Sequence, residues 1–216
     1  MSDVNLISIV LGCAVLLVSL SVHEAAHAWT ADRLGDPTAR VLGRVSLNPL
    51  VHIDLIGTVL LPIIAIVSHL PIIGWAKPVP VNTRNLRNPR RGFVLVAAAG
   101  PLSNLAQALV AAILFRALLV ILPAAGSLDP AVANAIVETC FLAVQINLLL
   151  AFFNLIPVPP LDGGNVLAGL LPPRAALAFA QVRRYGFLVL YALLFTGALG
   201  AMIAPPTNLF LRLLLP

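Results

Sequence analysis

The apolar runs of this chain are too long and too free of charge to be the core of a water-soluble fold. The first covers residues 4–30, and others cover 55–73, 92–122, 131–153 and 186–204, with a short apolar tail at 209–215. A helix rises about 1.5 Å per residue, so about 20 apolar residues cross the hydrocarbon of a bilayer. Backbone in lipid must satisfy its own hydrogen bonds, and the runs therefore predict an all-α polytopic membrane protein. Composition agrees: the 216 residues are 60% hydrophobic and 10% charged. A single domain over 1–216 is expected, with no room for an appended soluble one. The opening residues 1–5 lack a basic region, so the first run reads as a retained span and not a cleaved signal.

The segments between the runs are polar, basic and rich in turn formers. Asp32, Arg33, Asp36, Arg40 and Arg44 follow the first run, and Asp36 and Asp129 are expected to be solvated in loops. The net charge of +5 is modest, without a basic stripe or a reader motif, which excludes a nucleic-acid partner and leaves the lipid bilayer as the expected one. Two topologies compete. If 55–73 crosses and the N-terminus is inside, eight bases lie inside and four outside. If 55–73 is re-entrant and the N-terminus is outside, eleven bases lie inside and Arg212 alone outside, with Arg116 left within the third span. The second obeys the positive-inside rule better, and Pro62 and Pro71 suit a broken segment. It also brings the ends of the first and fourth runs to one face. Arg116 and Glu138 then share the outer face, either as a pair or snorkelling separately. Cys13 and Cys140 lie in apolar runs and read as buried thiols, while Trp29 and Trp75 read as interface anchors.

Near the end of the first run stands His23-Glu24-Ala25-Ala26-His27. On a helix the two histidines are one turn apart on one face, so both imidazoles can hold one zinc ion, and Glu24 lies beside them as a proton acceptor for water. Ionisable groups are costly in a span and are rarely there without a use. A zinc hydrolase needs a third ligand, for which His52, His69, Asp54, Glu138, Asp162 and the loop carboxylates are candidates. Asp162 is best placed, directly after a span and bracketed by Pro159-Pro160 and Gly163-Gly164. His52 and Asp54 are alternatively second-layer partners of the metal or headgroup anchors.

This pattern resembles the site-2 protease family of intramembrane zinc metalloproteases. Its hallmarks are H-E-x-x-H in one core span, matched at His23–His27, and N-x-x-P-x-x-P-x-D-G in another, matched from Asn154 to Gly163. A third, Gly-x-x-x-Asn on the middle core helix, is matched at Gly100 and Asn104, whose role is either substrate contact or close helix packing. The match covers most of residues 10–170, and the chain resembles the small, stand-alone bacterial members. The resemblance implies His23, His27 and Asp162 as zinc ligands, Glu24 as the catalytic carboxylate, and Asn154 as a support for the scissile peptide or its oxyanion. It also implies a short membrane-embedded β element, here at 74–81, able to pair with an unwound substrate. The run at 55–73 is a departure, since compact relatives have little there. The expected activity is hydrolysis of peptide bonds within or near transmembrane segments of membrane-protein substrates. The expected place is a bacterial cell membrane, with the site nearer the cytoplasmic face. The alternative is a non-proteolytic metal-binding membrane protein or transporter, which has no need of Glu24 next to the first histidine.

Overall fold

A computed structural model describes residues 6–60, 64, 75–125 and 129–215 of the chain. Among these, every regular element is helical: α1 (Leu6–Arg33), α2 (Thr38–Val41), α3 (Pro89–Ala125), α4 (Pro130–Asn154), α5 (Asp162–Leu170), α6 (Pro173–Val182), α7 (Gly186–Phe195) and α8 (Ala198–Leu214). Four stretches are long and apolar enough to cross a membrane: Ile7–Arg33, Pro89–Leu122, Pro130–Asn154 and Pro173–Phe195. That is the make-up of a multi-pass membrane protein.

Helices α1, α3 and α4 form the central bundle. Lipid tails are as apolar as leucine, so helices associate in a bilayer through close packing and buried polar contacts instead of a hydrophobic drive. The buried positions fit that rule. Ala28 and Ala31 of α1 and Ala97 and Ala108 of α3 are buried small residues, and Val144 and Leu148 of α4 pack against Ala108 and Ala112. A second cluster joins α7 and α8 to the turn before α5 through Ile156, Leu161, Leu190 and Leu199. Asp129 caps α4 by accepting from the Ala131 N–H at 2.8 Å, so its carboxylate is committed to a helix end.

Several expectations change. The run over 186–204 is not one helix: α7 ends at Phe195, Gly197 takes a left-handed φ of 76°, and α8 begins at Ala198. A left-handed residue ends a helix, and glycine takes that conformation without penalty. Instead, the candidate crossing starts upstream at Pro173 and runs through a 3-10 turn at Arg183–Tyr185. Of the two readings of Arg116, the pair with Glu138 is not formed: its guanidinium donates to the Leu214 carbonyl at 2.8 Å and the Leu213 carbonyl at 3.4 Å, satisfying the end of α8. Both cysteines are free, and Cys13 is exposed on the face of α1.

Asp36 is fully buried, not solvated. One carboxylate oxygen accepts from the Thr38 N–H at 3.1 Å, the Thr38 hydroxyl at 2.5 Å and the Asn85 amide at 3.0 Å. The other accepts from the Asn82 N–H at 2.6 Å. Burial alone would push this carboxyl up, but the hydrogen bonds from Thr38, Asn85 and Asn82 outweigh it and hold it below its ordinary value. Asp36 thereby ties the chain after α1 to the segment leading into α3.

The 55–73 run opens with a π-helical turn at Leu55–Leu60; residues 61–63 and 65–74 of that region lie outside the described residues. Its flanks lie side by side. The Trp75 N–H donates to the Gly57 carbonyl at 3.2 Å, the Thr58 hydroxyl to the Trp75 carbonyl at 2.8 Å, and the Lys77 N–H to the His52 carbonyl at 2.8 Å. The β element expected at 74–81 is not a strand among the described residues. From 75 to 82 the chain carries no regular structure, because these bonds reach turn and loop carbonyls and no ladder forms.

Candidate metal centre

The pair on α1 behaves as its spacing requires. His23 and His27 are buried, their rings meet edge to face with centroids 4.7 Å apart, and their Nε2 atoms are 3.0 Å apart. Asp162, the first residue of α5, brings one carboxylate oxygen to 3.1 Å from His23 Nε2 and 3.3 Å from His27 Nε2. One ligand atom from each of the three residues lies within 4.8 Å of the others.

The far side of each ring says what this cluster needs. His27 Nδ1 is 2.7 Å from the Val96 carbonyl, and His23 Nδ1 is 2.5 Å from Asn104 Oδ1. Both oxygens can only accept, so both Nδ1 atoms carry the hydrogen and donate it. In the neutral rings, both Nε2 atoms therefore present lone pairs toward each other and toward a carboxylate. Three electron-rich atoms facing one another with no hydrogen between them are mutually repulsive, and a bound cation removes the repulsion. Two imidazole nitrogens and one carboxylate oxygen also match the donor set that zinc takes in hydrolases. The site fits the metal.

Helix α3 must come close to allow this. A Cβ at Gly100 would overlap His27 Nε2 and His23 Nε2, so only glycine leaves room for the pair. One residue on, Pro101 has no N–H to give the Ala97 carbonyl, yet the helix runs unbroken through it.

A cavity of about 620 Å³ is lined by His23, Glu24, His27, Asn154 and Asp162. Glu24 is half-buried on its wall. Asn154, the last residue of α4, donates one amide hydrogen to its own helix at the Leu150 carbonyl, 3.0 Å away. His52 and Asp54 do not reach the cavity. His52 is buried against the Ser46 carbonyl at 2.8 Å, and Asp54 caps the next turn by accepting from the N–H groups of Ile56 and Gly57. Sequence reasoning missed Asn165, Arg183 and Phe187, which also line the cavity. Trp75, read from the sequence as an interface anchor, also lines the cavity, with its ring centroid 5.2 Å from that of Phe187. No motif flags these residues, because they converge from distant segments. Trp29 is exposed, with the Arg33 guanidinium 5.3 Å above its ring, as an interface residue would be.

Comparison with known proteins points the same way. Residues 119–197 match the family model described as peptidase family M50. The chain is 39% identical over 192 residues to YwhC of Bacillus subtilis, whose name designates a candidate zinc metalloprotease; the match covers 88% of this chain and 82% of that protein. It is 33% identical over 186 residues to Rip2 of Mycolicibacterium smegmatis, similarly named, covering 85% of this chain and 66% of Rip2. Rip3 of Mycobacterium tuberculosis is 32% identical over 188 residues, or 84% of this chain and 38% of Rip3. No solved structure matches. With a buried His-His-Asp group in a bundle of membrane-length helices and relatives of this likeness, the chain belongs to peptidase family M50, the site-2 protease family of zinc metallopeptidases.

Proposed function

We propose that this chain is an intramembrane zinc endopeptidase, a single catalytic domain over residues 1–216 that cleaves protein substrates within or near their transmembrane segments. The observation that carries the reading is the convergence of His23, His27 and Asp162 on one point of a cavity that Glu24 and Asn154 also line. In this reading the two Nε2 atoms and the Asp162 carboxylate hold zinc. When bound, zinc supplies Lewis acidity, lowering the pKa of water and polarising the scissile carbonyl. Glu24 accepts the proton of the attacking water and returns it to the leaving amine. Asn154 has a second amide hydrogen beyond the one given to Leu150, and that donor steadies the developing oxyanion.

A helical substrate shields its peptide bonds, so it must unwind before attack. The irregular segment at 75–81, which contributes Trp75, Pro78, Val79 and Val81 to the cavity wall, serves as the edge along which the unwound substrate pairs as an added strand. The N-terminus lies outside and the site nearer the cytoplasmic face of a bacterial cell membrane. The side-by-side flanks of the 55–73 run support that arrangement, since a crossing segment would separate them by roughly 30 Å. The test is cleavage of a single-span substrate in proteoliposomes. The wild-type chain should cut it, and Glu24→Gln should not, at equal zinc content. Equal cleavage by both would refute the assignment.

A further inference from the structure

Behind His23 a chain of buried polar side chains runs through all three helices of the central bundle. Asn104 of α3 faces His23 Nδ1 with its Oδ1 at 2.5 Å, and its Nδ2 donates to Asn147 Oδ1 of α4 at 2.9 Å. Asn147 Nδ2 donates to the Ser19 hydroxyl of α1 at 2.9 Å and to the Ala143 carbonyl at 2.9 Å. Ser19, Asn104 and Asn147 are at most 2% exposed. Polar groups of this kind are expensive in a membrane bundle unless fully paired, and none of the three touches the cavity.

An asparagine amide can in principle be turned end for end, exchanging donor and acceptor. Here the turn is blocked from outside the network. The Ala143 carbonyl is backbone and only accepts, so the Asn147 atom beside it must be the amide nitrogen. Asn147 therefore presents its oxygen to Asn104, which must answer with its own nitrogen. The Ser19 carbonyl, 3.5 Å from Asn104 Nδ2, asks weakly for the same orientation. Asn104 is left with only its oxygen to offer His23, and His23 must carry its hydrogen on Nδ1.

We propose that Asn104 and Asn147 are positioning residues: the Ala143 carbonyl orients Asn147, Asn147 orients Asn104, and Asn104 holds His23 in the tautomer whose Nε2 lone pair faces Asp162 and His27. Helix α4 thus sets the ligand state of a histidine on α1 that it reaches only through α3. Without Asn147, the Asn104 amide is free to turn and offer its nitrogen to Nδ1. His23 would then shift its hydrogen to Nε2, the atom required for the metal. His27 needs no such relay, because the Val96 carbonyl fixes it directly. The inference rests on the zinc-site reading and adds residues that no sequence motif links to it in the case of Asn147 and Ser19.

The experiment has two arms. In the metal-free wild-type chain in detergent, ¹⁵N NMR of labelled histidine reads the tautomer of His23 directly, needing no variant. The hydrogen is expected on Nδ1; finding it on Nε2 overturns the relay. In the second arm, zinc affinity is measured by chelator competition. Partners in the layer behind metal ligands are worth about 10–100-fold in affinity, so Asn147→Leu should bind zinc about tenfold more weakly. Combining it with Asn104→Asp should restore most of that loss, because a carboxylate has only acceptor oxygens and fixes the tautomer without help. A merely structural network would give the opposite result, with the double variant weaker than the single one. Affinity of Asn147→Leu within about twofold of wild type also overturns the proposal. A wild-type chain that binds no zinc contradicts the site reading instead, while the tautomer arm still judges the relay.

Discussion

Gly100 is where packing and chemistry meet most tightly, and Gly100→Ala is the sharpest perturbation of the site that leaves every ligand in place. The added methyl would overlap the Nε2 atoms of both His23 and His27, the two atoms aimed at the metal. Relief requires the rings to rotate or α3 to withdraw from α1, by a shift on the order of 1 Å, whereas metal–ligand distances hold to about 0.2 Å. Overpacking a tight contact costs about 1–3 kcal/mol, and exchanging glycine for alanine within a helix returns about 1 kcal/mol. The net loss of fold stability is therefore about 0–2 kcal/mol, small enough for the chain to remain folded. Zinc affinity has no such offset and should fall at least about 100-fold, beyond the effect of losing a partner behind a ligand. Chelator competition and thermal unfolding of the metal-free chain, both in detergent, read the two quantities separately. Zinc affinity within about threefold of wild type would refute the reasoning, since the rings would then have room that the geometry denies.

Asp36 contributes stability through a carboxyl held below its ordinary value, so the contribution is complete above pH about 4, the unfolded value. It should be lost as pH falls through the folded value, and an acid titration followed by circular dichroism should show Asp36→Asn less acid-sensitive than wild type. At neutral pH the same substitution puts an amide where the Asn82 N–H needs an acceptor, and should cost about 1–3 kcal/mol of stability. Asn154→Ala should lower kcat by about 100-fold with zinc content unchanged, the loss expected for one oxyanion donor, as measured in the proteoliposome assay. For topology, Asn48→Cys and Arg174→Cys in a background lacking Cys13 and Cys140 should both react with an impermeant thiol reagent from the cytoplasmic side. Labelling from opposite sides would restore the crossing path for 55–73.

What could be read from the residues was local. His23, Glu24 and His27 sit at helical spacing on one span, and helix geometry alone puts the two rings together. Asp162 was visible because prolines and glycines around it mark a turn directly after another span. The β element and the 186–204 span were legible only as composition: residues 75–82 remain irregular, and apolar sequence on either side of Gly197 hides the break. Asp36 looked like one more loop carboxylate, because its partners Asn82 and Asn85 are more than 45 residues away. Asn104 left a signal through the Gly100–Asn104 pattern, while Ser19 and Asn147 are polar residues within apolar runs that no motif marks. Their pairing across α1, α3 and α4 depends on helix rotation, which near-uniform apolar faces do not specify. Trp75 and Phe187 meet for a similar reason, through the fold that brings the 75–82 segment against α7.

The central claim is that His23, His27 and Asp162 hold one zinc ion for hydrolysis, and metal content of the gently purified, chelator-free chain tests it most directly. Mass spectrometry should find about one zinc per chain in the wild type and in Glu24→Gln, with loss in His23→Ala and Asp162→Ala. Zinc retained in Asp162→Ala, or none in the wild type, would contradict the account.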